Sequence, residues 1–166
     1  MISDSSIKWI ENLAEQEGLI SSGQLSSLDL SRTRDEILRV STVVFLRELK
    51  SQSVSLSKLF NSYMKEPRFG ILWGEIPDRE DCFYLERNSV RLNISFSRPG
   101  LIQVTCEKKT ENLRISPIFS GVLEARFSSF DEVAWYFLEK AISGEQITRY
   151  YLTEFLQSSR NVDNLV

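Results

Sequence analysis

Apolar residues recur at helical spacing through the first 66 residues of the chain. They predict a short amphipathic helix over residues 4–17, where Trp9 lies among apolar neighbours. A longer and more apolar pattern covers residues 31–50, and another covers residues 55–65. Pro67 ends the last one, because the residue before a proline avoids the helical conformation. The pattern therefore predicts three N-terminal helices.

The spacing changes to an alternation of apolar and polar residues near Phe69. It is cleanest over residues 90–97, where Val90, Leu92, Ile94 and Phe96 share one face and polar side chains occupy the other. Segments of this kind, separated by polar turns, predict an antiparallel meander of about five strands over residues 67–128. The last two segments are residues 113–119 and 122–127, and Pro117 places the first of them near a sheet edge.

Two capping patterns follow the meander. Ser129 and Glu132 precede an apolar stretch that Gly144 ends, and Ser143 and Gln146 precede a second stretch. They predict two closing helices over residues 129–160, packed on the sheet. The whole chain is then expected to be a single α+β domain, with a helical part (1–66), a β-meander (67–128) and closing helices (129–160).

Composition places the chain among ordinary globular proteins. Its 166 residues are 42% hydrophobic and 26% charged, and no apolar run reaches the length of a membrane-spanning helix. The 20 basic residues are outnumbered by 23 acidic ones, so the positive charge that non-specific nucleic-acid binding requires is missing. We expect neither a membrane nor a nucleic acid as partner.

The sequence contains no histidine, which excludes catalytic triads and His-containing metal sites. Cys82 and Cys106 are too few for a zinc framework and do not form a CxxC motif, and a single disulfide between two neighbouring strands stays open as an alternative to two free thiols. A reducing compartment is the natural expectation, and the N-terminal residues lack the pattern of a secretory signal, so we expect a cytoplasmic protein. We expect no metal, no cofactor and no enzymatic activity. Carboxylates contributed by distant positions leave a carboxylate-based hydrolase as an alternative.

An acidic cluster lies between the first two predicted strands. Pro77 and Arg79 interrupt the alternating ligand spacing that a calcium loop requires. Two interpretations stay open: a solvated turn, or a negative surface that binds a basic cleft of a partner. The candidate partner-binding residues in this cluster are Glu75, Asp78, Glu80 and Asp81.

A second candidate surface comes from four aromatic residues on the two predicted closing helices. They cannot all point inward, and exposed tyrosine and tryptophan side chains are typical of protein-binding hot spots. Partial burial is the alternative interpretation. The residues are Trp135, Tyr136, Tyr150 and Tyr151.

Four segments together resemble small bacterial immunity proteins that neutralise secreted NAD-hydrolysing toxins. They are an N-terminal helix with a tryptophan (SIKWIENLAEQEG), a first strand with a tryptophan (GILWGEI), a strand and turn (NISFSRPG), and an aromatic closing segment (FDEVAWYFLEKAISGEQITRYY). The resemblance covers the first helix and residues 69–151. It implies a protein that occludes the active site of a partner toxin.

We therefore expect a non-enzymatic protein-binding module, with an immunity protein as the specific form. The alternative is a small acidic secretion chaperone that binds an effector segment as a homodimer. The two differ in what they bind, because an immunity protein binds a folded enzyme and a chaperone binds an extended segment. The sequence leaves the oligomeric state open.

Overall fold

A computed structural model describes the backbone of residues 1–23 and 27–160, and the side chains of residues 1–23 and 32–160. In this part of the chain the fold is α+β, with three α-helices and a seven-stranded antiparallel sheet. The predicted class is confirmed, and the predicted numbers of helices and strands are wrong. The chain divides into two compact units, Met1–Ile37 and Leu38–Val166. No helix in the described residues is both long enough and apolar enough to span a membrane.

Helix α1 covers Asp4–Ser21 and belongs to the first unit. Its N-cap is Ser3, whose hydroxyl accepts the N–H of Ser6, and none of its residues is buried. Helix α2 covers Ser27–Tyr63 as one element, where the sequence pattern predicted two helices. The stretch that was expected to separate them, residues 51–54, contains neither glycine nor proline. Ser53 there is buried, so the side of α2 that packs inward simply continues through it.

The second unit holds the sheet and helix α3, preceded by a short 3₁₀ turn at Pro67–Phe69. Each strand pairs with the strand before it and the strand after it, in the order of the sequence. The strands are β1 (Leu72–Glu75), β2 (Cys82–Arg87), β3 (Val90–Arg98), β4 (Leu101–Lys109), β5 (Ile115–Phe127), β6 (Val133–Phe137) and β7 (Lys140–Ile142), and helix α3 is Gly144–Ser158.

The two faces of the sheet differ, and we call them the inner and the outer face. In β3, Val90, Leu92 and Ile94 are buried on the inner face and Phe96 packs against the same cluster, which confirms the predicted alternation. The inner face packs with α2 and α3 into one core. Helix α2 contributes Phe45, Leu46 and Leu49, and helix α3 contributes Ile147, Tyr151 and Phe155.

The first predicted closing helix does not exist. Residues 133–142 form the β6–β7 hairpin, in which Trp135 pairs with Ala125 of β5 on one side and Ile142 of β7 on the other. The turn between the strands consists of Leu138 and Glu139, with φ angles of 49° and 65°. This segment is apolar at nearly every position, so its spacing fits a helix and a strand equally well, and pairing with β5 determines the outcome.

Strand β5 is continuous where the sequence predicted two strands, residues 113–119 and 122–127. A Cβ at residue 121 would collide with the Tyr151 hydroxyl, so glycine is there to admit the tyrosine rather than to turn the chain. A β-bulge falls between the pairs Cys106–Phe119 and Glu107–Pro117. Ile118 is the extra residue.

Side-chain hydrogen bonds stabilise both ends of helix α3. At its start the predicted capping box is confirmed: the Ser143 hydroxyl accepts the Gln146 N–H at 3.2 Å, and the Gln146 side chain accepts the Ser143 N–H at 2.9 Å. At its end the Arg87 guanidinium donates to the Leu156 carbonyl oxygen at 3.3 Å. The Asn88 amide donates to the Ser159 carbonyl oxygen at 2.7 Å. The β2–β3 turn therefore satisfies carbonyl groups that a helix end leaves without partners.

Candidate functional site

The acidic cluster predicted from the sequence lies on the loop between β1 and β2, and the structure fastens this loop at both ends. At one end, Glu75 forms an ion pair with Lys50 of α2. At the other, the Asp81 carbonyl oxygen accepts the N–H of Phe96 in β3 at 2.7 Å. Within the loop, the Arg79 guanidinium donates to both carboxylate oxygens of Asp81, with Nε–Oδ1 and Nη2–Oδ2 distances of 3.0 and 3.2 Å. The hydrogen bond from Arg79 lowers the pKa of Asp81, so this carboxylate stays ionised and paired.

Asp78 and Glu80 occupy the exposed middle of the loop, and neither has an ion pair among the described residues. Asp78 has a φ angle of 63°, a left-handed conformation that aspartate tolerates better than most residues. The four predicted acidic residues are therefore of two kinds. Glu75 and Asp81 are neutralised by local cations, and Asp78 and Glu80 present uncompensated charge to solvent.

A cleft of about 190 Å³ lies between this loop and α2. Acidic and basic side chains face each other across it, so it has no single charge character that would select an anion or a cation. Cys82 is one of two buried free cysteines. The residues lining the cleft are Leu46, Arg47, Lys50, Glu75, Glu80, Cys82 and Phe83.

The four predicted aromatic residues do not form one surface. Trp135 points to the inner face of β6, is 7% exposed, and stacks on Phe45 of α2 with ring centroids 4.5 Å apart. Tyr151 is 4% exposed and lies against Phe119 and Phe137, with centroid distances of 6.1 and 5.5 Å. Burial raises the pKa of Tyr151. These two residues are part of the core and present no surface to a partner.

Tyr136 and Tyr150 are the two that reach the surface. Tyr136 lies on the outer face, and the Arg126 guanidinium carbon is 4.9 Å from the centroid of the tyrosine ring. Arg126 also donates hydrogen bonds to the carboxylates of Glu124 and Glu139. The hydrogen bond from Arg126 lowers the pKa of Glu139. Tyr150 of α3 is 44% exposed and rests on Phe137, with centroids 5.1 Å apart. In the sheet order four strands separate β1 from β6, so the acidic loop and Tyr136 belong to different parts of the sheet.

A third feature is the edge of β5, which the sequence indicated through Pro117 but did not identify as a candidate binding surface. Strand β6 pairs with Glu124–Phe127 only, so the preceding residues of β5 face no partner strand on that side within the described residues. Pro117 was the available signal for this edge, and exposed apolar side chains at Ile118 and Val122 mark it in the structure. Leu138, at the tip of the neighbouring hairpin, is also exposed.

The described residues contain no group of three cysteine, aspartate or glutamate side chains arranged to hold a metal ion. The candidate surfaces are the acidic loop, the half-buried Tyr136 and the exposed Tyr150, and the open edge of β5. Comparisons of the chain with protein-family models, with curated proteins and with solved structures found no match.

Proposed function

We propose that this chain is a non-enzymatic protein-binding module that covers a basic cleft of a folded partner, as expected of an immunity protein. The observation that carries the proposal is the construction of the β1–β2 loop. Its ends are held by the Lys50–Glu75 ion pair and by the hydrogen bond from the Phe96 N–H to the Asp81 carbonyl oxygen, while Asp78 and Glu80 carry free charge between them. A loop held in this way presents its charges without being ordered on binding.

Preorganisation matters because every side chain and loop residue immobilised on association lowers the affinity. Asp78 and Glu80 contribute little to folding, since solvated surface charges stabilise proteins weakly. Their effect is expected on encounter, where negative charges attract a positively charged cleft over several ångströms and raise the association rate.

Tyr150 supplies the second kind of contact. An exposed aromatic ring that is already packed against another side chain buries a large area on binding and loses little conformational freedom. Such rings are frequent among the residues that dominate binding energy. Its base is Phe137, itself packed against Tyr151. We assign the exposed tyrosine to the stability of the complex and the acidic loop to the speed of its formation.

The experiment compares association kinetics of two double variants with equal charge change. Asp78→Asn with Glu80→Gln removes the loop charges, and Glu111→Gln with Glu132→Gln removes two exposed acidic charges elsewhere. A partner captured from the native lysate and then purified serves as the ligand. We expect the loop variant to associate about tenfold more slowly at low salt, with the difference vanishing at high ionic strength. Equal association rates for the two double variants would contradict the role of the loop.

The secretion-chaperone alternative is favoured by one observation, the open edge of β5, because a strand edge binds extended segments. Sedimentation of the purified chain separates the alternatives, since the chaperone is expected as a homodimer. A monomer that binds a folded enzyme supports the immunity-type function.

A further inference from the structure

Strand β5 is paired along most of its length with β4 but only at its C-terminal end with β6. On one side, β4 pairs with Ile115–Glu124, and on the other, β6 pairs only with Glu124–Phe127. The chain then turns back at Leu138 and Glu139 to form β7. Opposite the first part of β5, the line of β6 is therefore not continued by any strand of the described residues.

The direction of the backbone groups along β5 follows from two hydrogen bonds. The Ala125 N–H donates to the Gly100 carbonyl oxygen at 2.8 Å, which directs Ala125 toward β4. Lys109, the other end of this ladder, donates its N–H to Ser89 at 2.9 Å and so faces away from β5. Because successive residues of a strand alternate in direction, the N–H and C=O groups of Ser120 and Val122 face the open edge.

The start of this edge is protected. By the same alternation Pro117 faces outward, where its missing N–H removes no hydrogen bond, and the bulge at Ile118 follows it. Both features are typical of edges that avoid uncontrolled pairing. Neither proline nor a charged residue protects Ser120 and Val122, so the part of the edge nearest β6 is left competent to pair.

Apolar side chains flank this competent part on both faces. Val122, 46% exposed, lies on the outer face, and Leu138, 76% exposed, lies at the hairpin tip that follows β6. On the inner face, Phe137 approaches Gly121 and carries the Tyr150 ring. An added strand would place alternate side chains on these two surfaces.

We propose that an extended segment of the partner protein adds to the sheet along Ser120–Val122, in line with β6. The inference rests on the protein-binding function that the immunity form and the chaperone form share, and it names the mode in which this surface binds. A row of backbone N–H and C=O groups with apolar flanks is complementary to extended polypeptide. A partner segment fits better than a second copy of β5, because a two-fold pair would bring the proline and bulge of both copies into one ladder.

The probe is a phage-displayed library of random nine-residue peptides, selected on the full-length chain. The strongest binder is synthesised, and its Kd is measured for the wild type, for Ser120→Pro and for Ala141→Pro. Ser120→Pro removes an edge-facing N–H while the N–H groups directed at β4 remain. Ala141→Pro is the matched control, since by the same alternation its N–H faces the outer edge of β7.

We expect Ser120→Pro to weaken the peptide by about tenfold or more, because one carbonyl group of the peptide loses its donor, and Ala141→Pro to bind like the wild type. Two versions of the peptide, N-methylated at alternate amides in one phase or the other, test the same hydrogen bonds without changing the protein. The phase that methylates the amides facing β5 should lose binding. Circular dichroism verifies that both proline variants fold.

Three results would overturn the strand-addition mode. One is a peptide that binds both proline variants equally and tolerates both phases of N-methylation; binding would then use another surface, and the protein-binding function would stand. A second is a selection without binders and a wild type that sediments as a dimer which Ser120→Pro dissociates, because the edge would then serve a second copy. The third is a monomer that selects no peptide.

Discussion

The inner and outer faces of the same sheet are built on different principles. On the inner face, Trp135 stacks on Phe45, and the space above Gly121 is filled by Tyr151. On the outer face, the next residue after Trp135 is Tyr136, which lies beneath Arg126 and its two carboxylates. Consecutive residues thus have close packing on one side and solvated polar contacts on the other.

The two faces differ in how well they tolerate substitutions. An inner-face side chain touches many neighbours at once, so its loss leaves a cavity. An outer-face ion pair is surrounded by water, which replaces most of what is removed. We expect stability to reside in the inner face, and the outer face and the strand edges to be available for binding.

The largest effect is expected for Trp135→Ala. Removing a buried aromatic side chain should lower the free energy of unfolding by about 3–5 kcal/mol. Tyr136→Ala, one residue along, removes an outer-face ring and a cation–π contact, with an expected loss of about 0.5–1 kcal/mol. Chemical denaturation of both variants measures the ratio. Similar losses at the two positions would show that the faces are not distinguished in this way.

A smaller effect is expected for Gly121→Ala. The added methyl group meets the Tyr151 hydroxyl, and the expected loss of unfolding free energy is about 1–3 kcal/mol. Tyr151→Phe removes that hydroxyl, which is buried and has no hydrogen-bond partner within the described residues, so this variant should be near neutral.

The double variant tests the contact itself. If the hydroxyl is what residue 121 must avoid, Tyr151→Phe should relieve part of the loss caused by Gly121→Ala. Strictly additive losses in thermal or chemical unfolding would indicate that the strand backbone, not the tyrosine, requires glycine.

Alkaline pH should weaken the inner face. Burial, followed by the charge of Glu107, raises the pKa of Cys106 from 9.0 to about 11, so the folded state keeps the neutral thiol while the unfolded chain ionises. The contribution is complete below pH 9.0 and is lost as the pH rises to about 11, at up to about 1.4 kcal/mol per pH unit. Tyr151, whose pKa is also raised, adds to this loss above pH 10.0.

Unfolding free energies measured from pH 8 to 11 check this expectation. Cys106→Ala should reduce the decline in unfolding free energy that begins near pH 9. Tyr151→Phe should reduce the part of this decline that lies above pH 10. A wild-type stability that is constant across this interval would contradict the inner-face environment assigned to both groups.

The smallest effect on stability is expected in the β1–β2 loop. Asp78→Asn with Glu80→Gln should change the free energy of unfolding by less than about 0.5 kcal/mol, because both carboxylates are exposed and unpaired. Urea denaturation at low and moderate salt measures it. A larger loss would mean that these charges serve the fold, and the proposed steering role would lose its basis.

The sequence predicted the parts of the fold in which local pattern and tertiary context agree. The alternation of Val90, Leu92 and Ile94, the capping box at Ser143 and the edge position of Pro117 all appear in the structure. Each of these signals depends on neighbours in the chain. The β1–β2 loop was located for the same reason, as a polar stretch between two strand patterns.

The errors arose where distant residues determine the outcome. The Ser129–Glu132 pattern favours a helix, yet residues 133–136 pair with β5, and the turn that follows β6 uses Leu138 and Glu139 without the usual glycine or asparagine. Strand β5 was predicted as two strands, and nothing in the local sequence indicates that Gly121 lies within one strand against a tyrosine thirty residues later. The division of the aromatic cluster into buried and exposed members follows from these same contacts.

The neighbour-to-neighbour order of the seven strands has a consequence for how the protein is made. Each strand pairs only with the strands immediately before and after it in the sequence. Each hairpin can therefore form as soon as its second strand has left the ribosome. Helix α3 comes last in the described chain, and the contacts of Arg87 and Asn88 with its final turn join it to strands already made. We expect the sheet to assemble progressively, with the arrival of α3 completing the cooperative unit.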